Sequence, residues 1–432
     1  MSGAGTAGRA RRAAGLLLAG AALLAAPRAG AQELQLTGYV EADHQAYFDG
    51  GERDRNLGRN QALVQLEARA SFGERARLFG AVELRADQAD RGRNRAYLDE
   101  LYADLTFGRL DLRLGKQIVA WGKADGVNPT DHLAPMDFSD PLDTEDERIG
   151  IVAVRPRFYL GGVQWEGVVA PVFQASTIPP AGSRWRVPLP ATMPHPLDPT
   201  RTAVLSYELM PAEEPATTWL NVQYAARASG TVRGWDVSVS GFDGWDDLPW
   251  MRRQPLMTGP ESVRVEVTPE YLRKRAVGGD LATVVGPYTL RAEGAYVMPD
   301  PKAGPDYAQY VLGVERTFGD LMGAGGTMVL LQWVQELASS GYTPEPFDLN
   351  HLFQKTVTGR VQHNLTTAAQ VVVDGLYDFE ADGYYLQPGA SYRFGDHLRV
   401  EAMVDWLGGD EDRFFGAFSH NRRFQVRVRY LF

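Results

Sequence analysis

The 432-residue chain contains no cysteine, which excludes disulfide scaffolds, thiolate metal sites and cysteine nucleophiles. Hydrophobic residues make up 44% and charged residues 23%, a balance that fits neither a disordered chain nor a bundle of membrane helices. A formal charge of −10 argues against a nucleic-acid partner.

The first segment has the layout of a leader. Arg9, Arg11 and Arg12 precede an apolar run from Ala13 to Ala26, and Ala29-Gly30-Ala31 follows as a small-residue cleavage site. Residues 1–31 are therefore expected to be a secretory signal peptide, with 32–432 as the mature protein starting at Gln32. The apolar run is shorter than the roughly 20 residues a spanning helix needs. Loss of Arg9, Arg11, Arg12 and Arg28 with the leader would take the formal charge to about −14. No later stretch approaches the roughly 18 consecutive apolar residues of a membrane helix. The mature chain either stays in the exported aqueous space or crosses a membrane as strands.

Strand-like alternation recurs from there to the C-terminus. In Asn60–Phe72, Ala62, Val64, Leu66, Ala68, Ala70 and Phe72 alternate with Gln61, Gln65, Glu67, Arg69 and Ser71. The same period is read in Ala76–Asp87, Leu110–Trp121, Phe353–Gln362 and Leu398–Trp406. A two-residue period puts the apolar set on one face and the charged set on the other. Segments of about ten to twelve residues match a strand tilted across a bilayer, whereas strands of soluble sandwiches are nearer five or six. Aromatics near the segment ends, among them Tyr39, Phe107, Trp165, Tyr288, Phe318, Tyr392 and Tyr430, suit interface girdles.

Tight turns alternate with long polar connections. The tight set is Gly73-Glu74-Arg75, Gly108-Arg109, Gly161-Gly162, Ser229-Gly230-Thr231, Gly286-Pro287 and Gly395-Asp396-His397, with another at Asn364. The long set is Asp49–Arg59, Gly122–Arg148, Gln174–Thr217, Gly244–Leu272, Met298–Asp306 and Ala338–Asn350. Gln174–Thr217 is rich in proline, which cannot donate to a ladder, and is expected to be loop throughout. Ser262–Tyr271 alternates but is expected to form a hairpin arm within a long loop. The last strand sets Phe424, Val426, Val428, Tyr430 and Phe432 against Gln425, Arg427 and Arg429, and the sequence ends on that aromatic. The expectation is a closed antiparallel transmembrane β-barrel of about 18 strands, with short periplasmic turns, long extracellular loops and both ends periplasmic.

Three stretches carry a resemblance to known barrels. The terminal strand resembles the signal that the barrel-assembly machinery reads, with Phe432 as its last residue. Thr106–Gly122, TFGRLDLRLGKQIVAWG, resembles the strand–turn–strand of large porin-like barrels, and Leu386–Gly409 resembles their late periplasmic hairpin. The nearest group is the 18-stranded alginate-export-type porins of Gram-negative outer membranes. That resemblance implies passive conduction across the outer membrane. The chain departs from it in a lumen of mixed charge, where a polymer-anion exporter would be strongly arginine-rich.

The strand phase assigns Arg69, Arg77, Arg85, Arg113, Gln117, Arg291, Arg360 and Arg399 to the inner face, with Glu83, Glu293, Glu401 and Asp405. Arg227, Arg393, Arg427, Arg429, Glu67, Asp111, Glu166, Asp280 and Glu315 share that phase. Charged rings of this kind set the field a solute feels, or they pair across strands and brace the wall. Arg69, Arg77, Arg85 and Arg113 lie on neighbouring strands and could form a basic ladder. The loop Gly122–Arg148 holds Asp125, Asp131, Asp137, Asp140, Asp143, Glu145, Asp146 and Glu147. It is read as a constriction loop, with Asp125, Asp131 and Asp137 at the pore, or as a solvated acidic outer loop. No cofactor is implied, apart from a calcium ion that its hard carboxylates would suit.

Catalysis is not expected. The seven histidines have no zinc-ligand spacing, and no G-x-S-x-G elbow occurs. The reading is an outer-membrane channel for passive diffusion of a small or polymeric solute. Its partners would be lipid, lipopolysaccharide and the assembly machinery, with a homotrimer and a monomer both open. The alternatives are a barrel acting as adhesin or assembly scaffold, a hydrolase in the outer membrane and a secreted soluble β protein.

Overall fold

In the computed structural model the alternating segments become strands because one face of each is apolar and the other polar. The structure describes residues 33–50, 57–143, 148–180, 182–319, 325–339 and 342–432. The expected leader lies outside the described residues, as do Glu145, Asp146 and Glu147.

The chain runs through β1 (Glu33–Tyr47), β2 (Gly58–Phe72), β3 (Ala76–Asp87), β4 (Arg95–Phe107), β5 (Leu110–Gln117), β6 (Ile151–Leu160) and β7 (Val163–Ala170). It continues with β8 (Thr192–His195), β9 (Asp198–Leu209), β10 (Gln223–Val232), β11 (Trp235–Trp245), β12 (Trp250–Gly259), β13 (Ser262–Glu270), β14 (Arg273–Val285) and β15 (Tyr288–Pro299). The remainder is β16 (Tyr307–Phe318), β17 (Thr327–Ala338), β18 (Lys355–Asn364), β19 (Ala369–Asp378), β20 (Gly383–Phe394), β21 (Leu398–Gly409) and β22 (Arg423–Leu431).

Eighteen of these strands form one sheet. Each pairs antiparallel with its predecessor, β7 with β10 and β11 with β14 included. β22 closes on β1 in the register Tyr39↔Leu431 to Tyr47↔Arg423. Closure leaves no open edge in this sheet, the condition for strands to cross a bilayer. The two ends meet at one rim, where Gly38 and Phe432 exchange backbone hydrogen bonds of 3.0 Å. That rim also carries the connections 73–75, 108–109, 161–162, 233–234, 286–287 and 395–397. The opposite rim carries 118–150, 171–222, 246–272, 339–354 and 410–422.

Burial is inverted relative to a soluble core. Leu36, Val239 and Val277 are 63%, 66% and 53% exposed, while Glu41, Asp43 and Gln45 are 4%, 4% and 1% exposed. The apolar face therefore points out of the ring and the polar face points in.

Three local expectations are corrected. The turn expected at Ser229-Gly230-Thr231 lies four residues later, at Arg233-Gly234. Both residues there have positive φ, 52° and 82°, as a tight hairpin requires. Gly230 stays in β10, where a Cβ would sit 3.0 Å from the Gly162 carbonyl oxygen. The strand read as far as Trp121 ends at Gln117, and Val119 and Trp121 turn into the lumen, where they are 0% and 4% exposed. The proline-rich stretch is not loop throughout, because it contains β8 and β9. Pro194 falls in β8, an edge strand that can lack one donor. β12, β13, β9 and β8 form a second, four-stranded sheet at the loop rim. Its β12–β13 hairpin holds the Ser262–Tyr271 arm, and β13 and β9 pair in parallel. Ala203, Val263 and Val265 are its buried core.

Candidate functional site

The inner wall is built of short-range ion pairs, some between residues two apart on one strand, which share a face, and some between neighbouring strands. Arg69 pairs with Glu67 at 2.8 Å, Arg85 with Glu83 at 3.0 Å, Arg113 with Asp104 at 2.7 Å and Arg360 with Asp374 at 2.6 Å. Arg399 pairs with Glu401 at 2.6 Å, Arg227 with Asp280 at 2.7 Å and Arg429 with Glu41 at 2.7 Å. Arg291 reaches both Glu315 at 2.9 Å and Asp125 at 3.1 Å. The four arginines expected to form a ladder are therefore mostly neutralised one by one. Arg77 makes no ion pair among the described residues, although Asp104 is its cross-strand neighbour.

Exposure divides the inward residues by height. Toward the turn rim, the side chains of Arg69, Arg360 and Arg399 are 57%, 48% and 40% exposed. Farther along their strands from that rim, Gln117, Glu83, Arg85, Glu293 and Asp405 are buried, as is Glu401 beside Arg399. The cause is the segment 118–143, which folds into the barrel.

This loop is fastened to two regions of the wall. At its tip, Glu293 of β15 accepts hydrogen bonds from the backbone amides of Lys123 at 2.7 Å, Ala124 at 3.0 Å and Thr130 at 2.9 Å. The Thr130 hydroxyl adds a fourth at 2.8 Å. One wall carboxylate thus satisfies several loop donors that would otherwise be buried without acceptors. Lys123 lies 3.4 Å from Asp280, and the Trp121 indole donates to Glu166 at 2.7 Å.

On the return path the loop presents carboxylates at every third residue. Asp137 pairs with Arg95 at 2.7 Å. Asp140 accepts from Arg59 at 2.9 Å and from Arg423 at 2.6 Å, with Arg93 at 3.7 Å. Asp143 lies 3.4 Å from both Arg93 and Arg427. These arginines come from β2, β4, β22 and the 88–94 connection, so one loop edge grips several wall elements. Burial alone would raise the Asp140 carboxyl, but Arg423, Arg59 and Arg93 hold it well below the usual carboxylate range. Asp131 behaves oppositely. Burial pushes it up to about 7, although Arg148 lies 3.3 Å away. Burial pushes the neighbouring His132 down to about 3.

Apolar contacts complete the packing. Val119, Trp121 and Leu133 of the loop pack on inward small residues of the wall, among them Ala153, Ala225, Ala276 and Ala295. A second strap comes from the 171–222 connection. Thr177 exchanges backbone hydrogen bonds of 2.8 Å with Met136 and Phe138. Trp185, 2% exposed, stacks on Phe414 and meets Phe418 at a tilt of 55° in the last loop. Arg184 sits 4.0 Å over the Tyr47 ring and donates to Asn421 at 3.0 Å. The strap therefore reaches from β7 to the β22–β1 closure.

Arg59, Arg93, Arg95 and Arg423 belong to the site and are absent from the sequence-based set. Arg59 and Arg423 continue the inward parity of Arg69 and Arg427, so extending the phase to the strand ends would have found them. Arg93 precedes β4 and carries no phase signal. The described loop carboxylates Asp137, Asp140 and Asp143 face guanidinium groups, and Glu145, Asp146 and Glu147 lie outside the described residues. Among the described residues no three acidic or histidine side chains converge to hold a metal.

No family model matches the chain, and no curated protein matches it. Solved structures similar to it include mutants of the porin from Rhodopseudomonas blastica. One has 12% identity and a TM-score of 0.44, covering 93% of this chain and 100% of that one. A triple mutant has 12% identity and a TM-score of 0.43 over the same shares. Another, titled "Asymmetric conductivity of engineered proteins", has 14% identity and a TM-score of 0.43, again over 93% and 100%.

Proposed function

We propose that this chain is a channel of a Gram-negative outer membrane, through which a small solute diffuses passively. The observation that carries the reading is the inverted burial of a closed ring: exposed Leu, Val and aromatic side chains outside, ion pairs inside. A soluble protein gains stability by the opposite arrangement, whereas lipid accepts the apolar band and water accepts the wall. The inward loop then acts as the constriction, with Asp125, Asp131 and Asp137 on the segment that narrows the path. Arg69, Arg77, Arg113, Arg291, Arg360 and Arg399 line the water-filled part of the lumen. Glu83, Arg85, Gln117, Glu293, Glu401 and Asp405 hold the constricted part in shape.

The same reading sets the turn rim in the periplasm and the loop rim toward lipopolysaccharide. Phe432 serves as the terminal residue read by the assembly machinery, after removal of a leader over 1–31. No chemical step is involved, and permeation is governed by pore width and wall charge. The test is a planar bilayer containing the purified protein. Discrete conductance steps are expected, and their absence from protein that migrates as a folded barrel would overturn the proposal. One observation favours a second reading, a barrel that serves as adhesin or scaffold. The two apolar clusters and the strap fill much of the loop-rim half. That reading requires a sealed bilayer in the same experiment.

A further inference from the structure

Near the turn rim, the inner faces of β1 to β4 enclose a recess of about 310 Å³. Its floor is the ring pair Phe79 and Tyr102, whose centroids are 5.1 Å apart. Arg69 lies 5.1 Å over Phe79, and Arg113 lies 3.8 Å over Tyr102. Gln35 and Ser71 add an amide and a hydroxyl to the lining.

The charges here are unevenly matched. Arg113 donates to both oxygens of Asp104, at 2.7 and 2.9 Å. A forked pair of this geometry is the strongest available to a carboxylate. It leaves Arg77, the register neighbour of Asp104, without a counter-charge, and the neighbour on its other side is the uncharged Ser71. Arg69 engages Glu67 through a single nitrogen. Among the described residues, the recess therefore offers one guanidinium fork, that of Arg77, without an ion pair, beside an aromatic floor.

We propose that this recess is a lumenal binding subsite for a small organic monocarboxylate with a ring-shaped apolar body. The carboxylate sits on Arg77 and the ring lies against the Phe79–Tyr102 side. A single free fork matches one carboxylate, and Glu33, Glu67 and Asp104 nearby oppose a dianion such as phosphate. The volume is at the lower end of small-molecule sites, roughly 300–1,000 Å³, which suits one ring and excludes a polymer segment. This subsite deepens the channel reading and rests on it for the route by which solute arrives.

The test is titration calorimetry on the full-length protein in detergent, paired with bilayer recordings. The probes are benzoate, its neutral isostere benzamide, and inorganic phosphate. Benzoate is expected to bind at least tenfold more tightly than benzamide or phosphate. Arg77→Gln is expected to weaken benzoate at least tenfold, with Arg77→Lys intermediate and Tyr102→Leu several-fold weaker. In the bilayer, benzoate is expected to interrupt wild-type current and to leave Arg77→Gln current unaffected. Equal affinity for benzamide, tighter binding of phosphate, or unchanged affinity in Arg77→Gln would overturn the subsite. Conductance without benzoate binding removes the subsite alone. Benzoate binding in a protein that does not conduct removes the channel and leaves the subsite.

Discussion

Replacing Asp140 by Asn is expected to undock the inward loop while leaving the wall intact. The change keeps size and shape but removes the charge that faces Arg59 at 2.9 Å and Arg423 at 2.6 Å. Their side chains are only 7% and 0% exposed. Breaking a buried pair by removing one partner costs about 3–5 kcal/mol, because the remaining charge is left uncompensated. Here Asp87 still serves Arg59 and Asp405 still serves Arg423, so the lower figure, about 3 kcal/mol, applies. At about 1.4 kcal/mol per tenfold, the docked loop loses roughly two decades of preference. The closed ladder of 18 strands does not depend on Asp140, so the loss falls on the loop. Single-channel recordings would show a larger mean conductance with frequent transitions between levels. Asp125→Asn is the control, since among the described residues this half-exposed carboxylate forms an ion pair only with Arg291, and surface pairs contribute about 0–1 kcal/mol. If Asp140→Asn conducted with the same steps and noise as the parent, the loop would not be held by this carboxylate and the reasoning would fail.

The loop should also respond to pH through Asp131, which burial pushes up to about 7. An acid whose folded pKa lies above its unfolded value of about 3.9 is penalised when ionised. The docked loop is then firmest below pH 4 and loosens as pH rises toward 7. Channel noise should increase between about pH 4 and 7 and level off above it, and Asp131→Asn should flatten that dependence; a flat wild-type profile would count against it. Trp185→Ala removes a buried indole packed against Phe414 and Phe418, a truncation that costs about 3–5 kcal/mol. Limited proteolysis should then cut the 171–222 connection at least tenfold faster, and an unchanged rate would mean that the strap is held elsewhere. Phe432→Ala leaves the backbone exchange with Gly38 available, so the folded protein should keep its stability. The amount reaching the membrane should fall several-fold by fractionation, and undiminished yield would remove the insertion role.

The strand walls were legible because a two-residue period needs no knowledge of what lies across the sheet. Phase alone put Arg69, Glu83, Arg113 and Asp405 on the inner face. Phase says nothing of height, however, and height separates Arg69, exposed to the lumen, from Asp405, sealed at 0%. That distinction comes from the path of 118–143, which is set by long-range partners such as Glu293 and Arg423. The acidic character of this loop was visible, but its ligands lay far away in sequence, so calcium and arginine could not be told apart. The misplaced turn at Gly230 has a local cause. A glycine accommodating a neighbouring carbonyl within a strand looks, in sequence, like a glycine in a hairpin. The prolines misled for a related reason: the exclusion applies to the interior of central strands, whereas Pro194 lies on the edge strand β8 and Pro199 at the start of β9.

The parallel pairing of β9 with β13 joins two surface excursions that are separated along the chain by the β10–β11 hairpin. Neither half can complete this small sheet by itself, and the halves are brought together only once the staves between them stand side by side. An antibody whose footprint straddles both strands would therefore recognise finished molecules and ignore nascent ones. It would serve as a stopwatch for maturation that needs no label on the polypeptide.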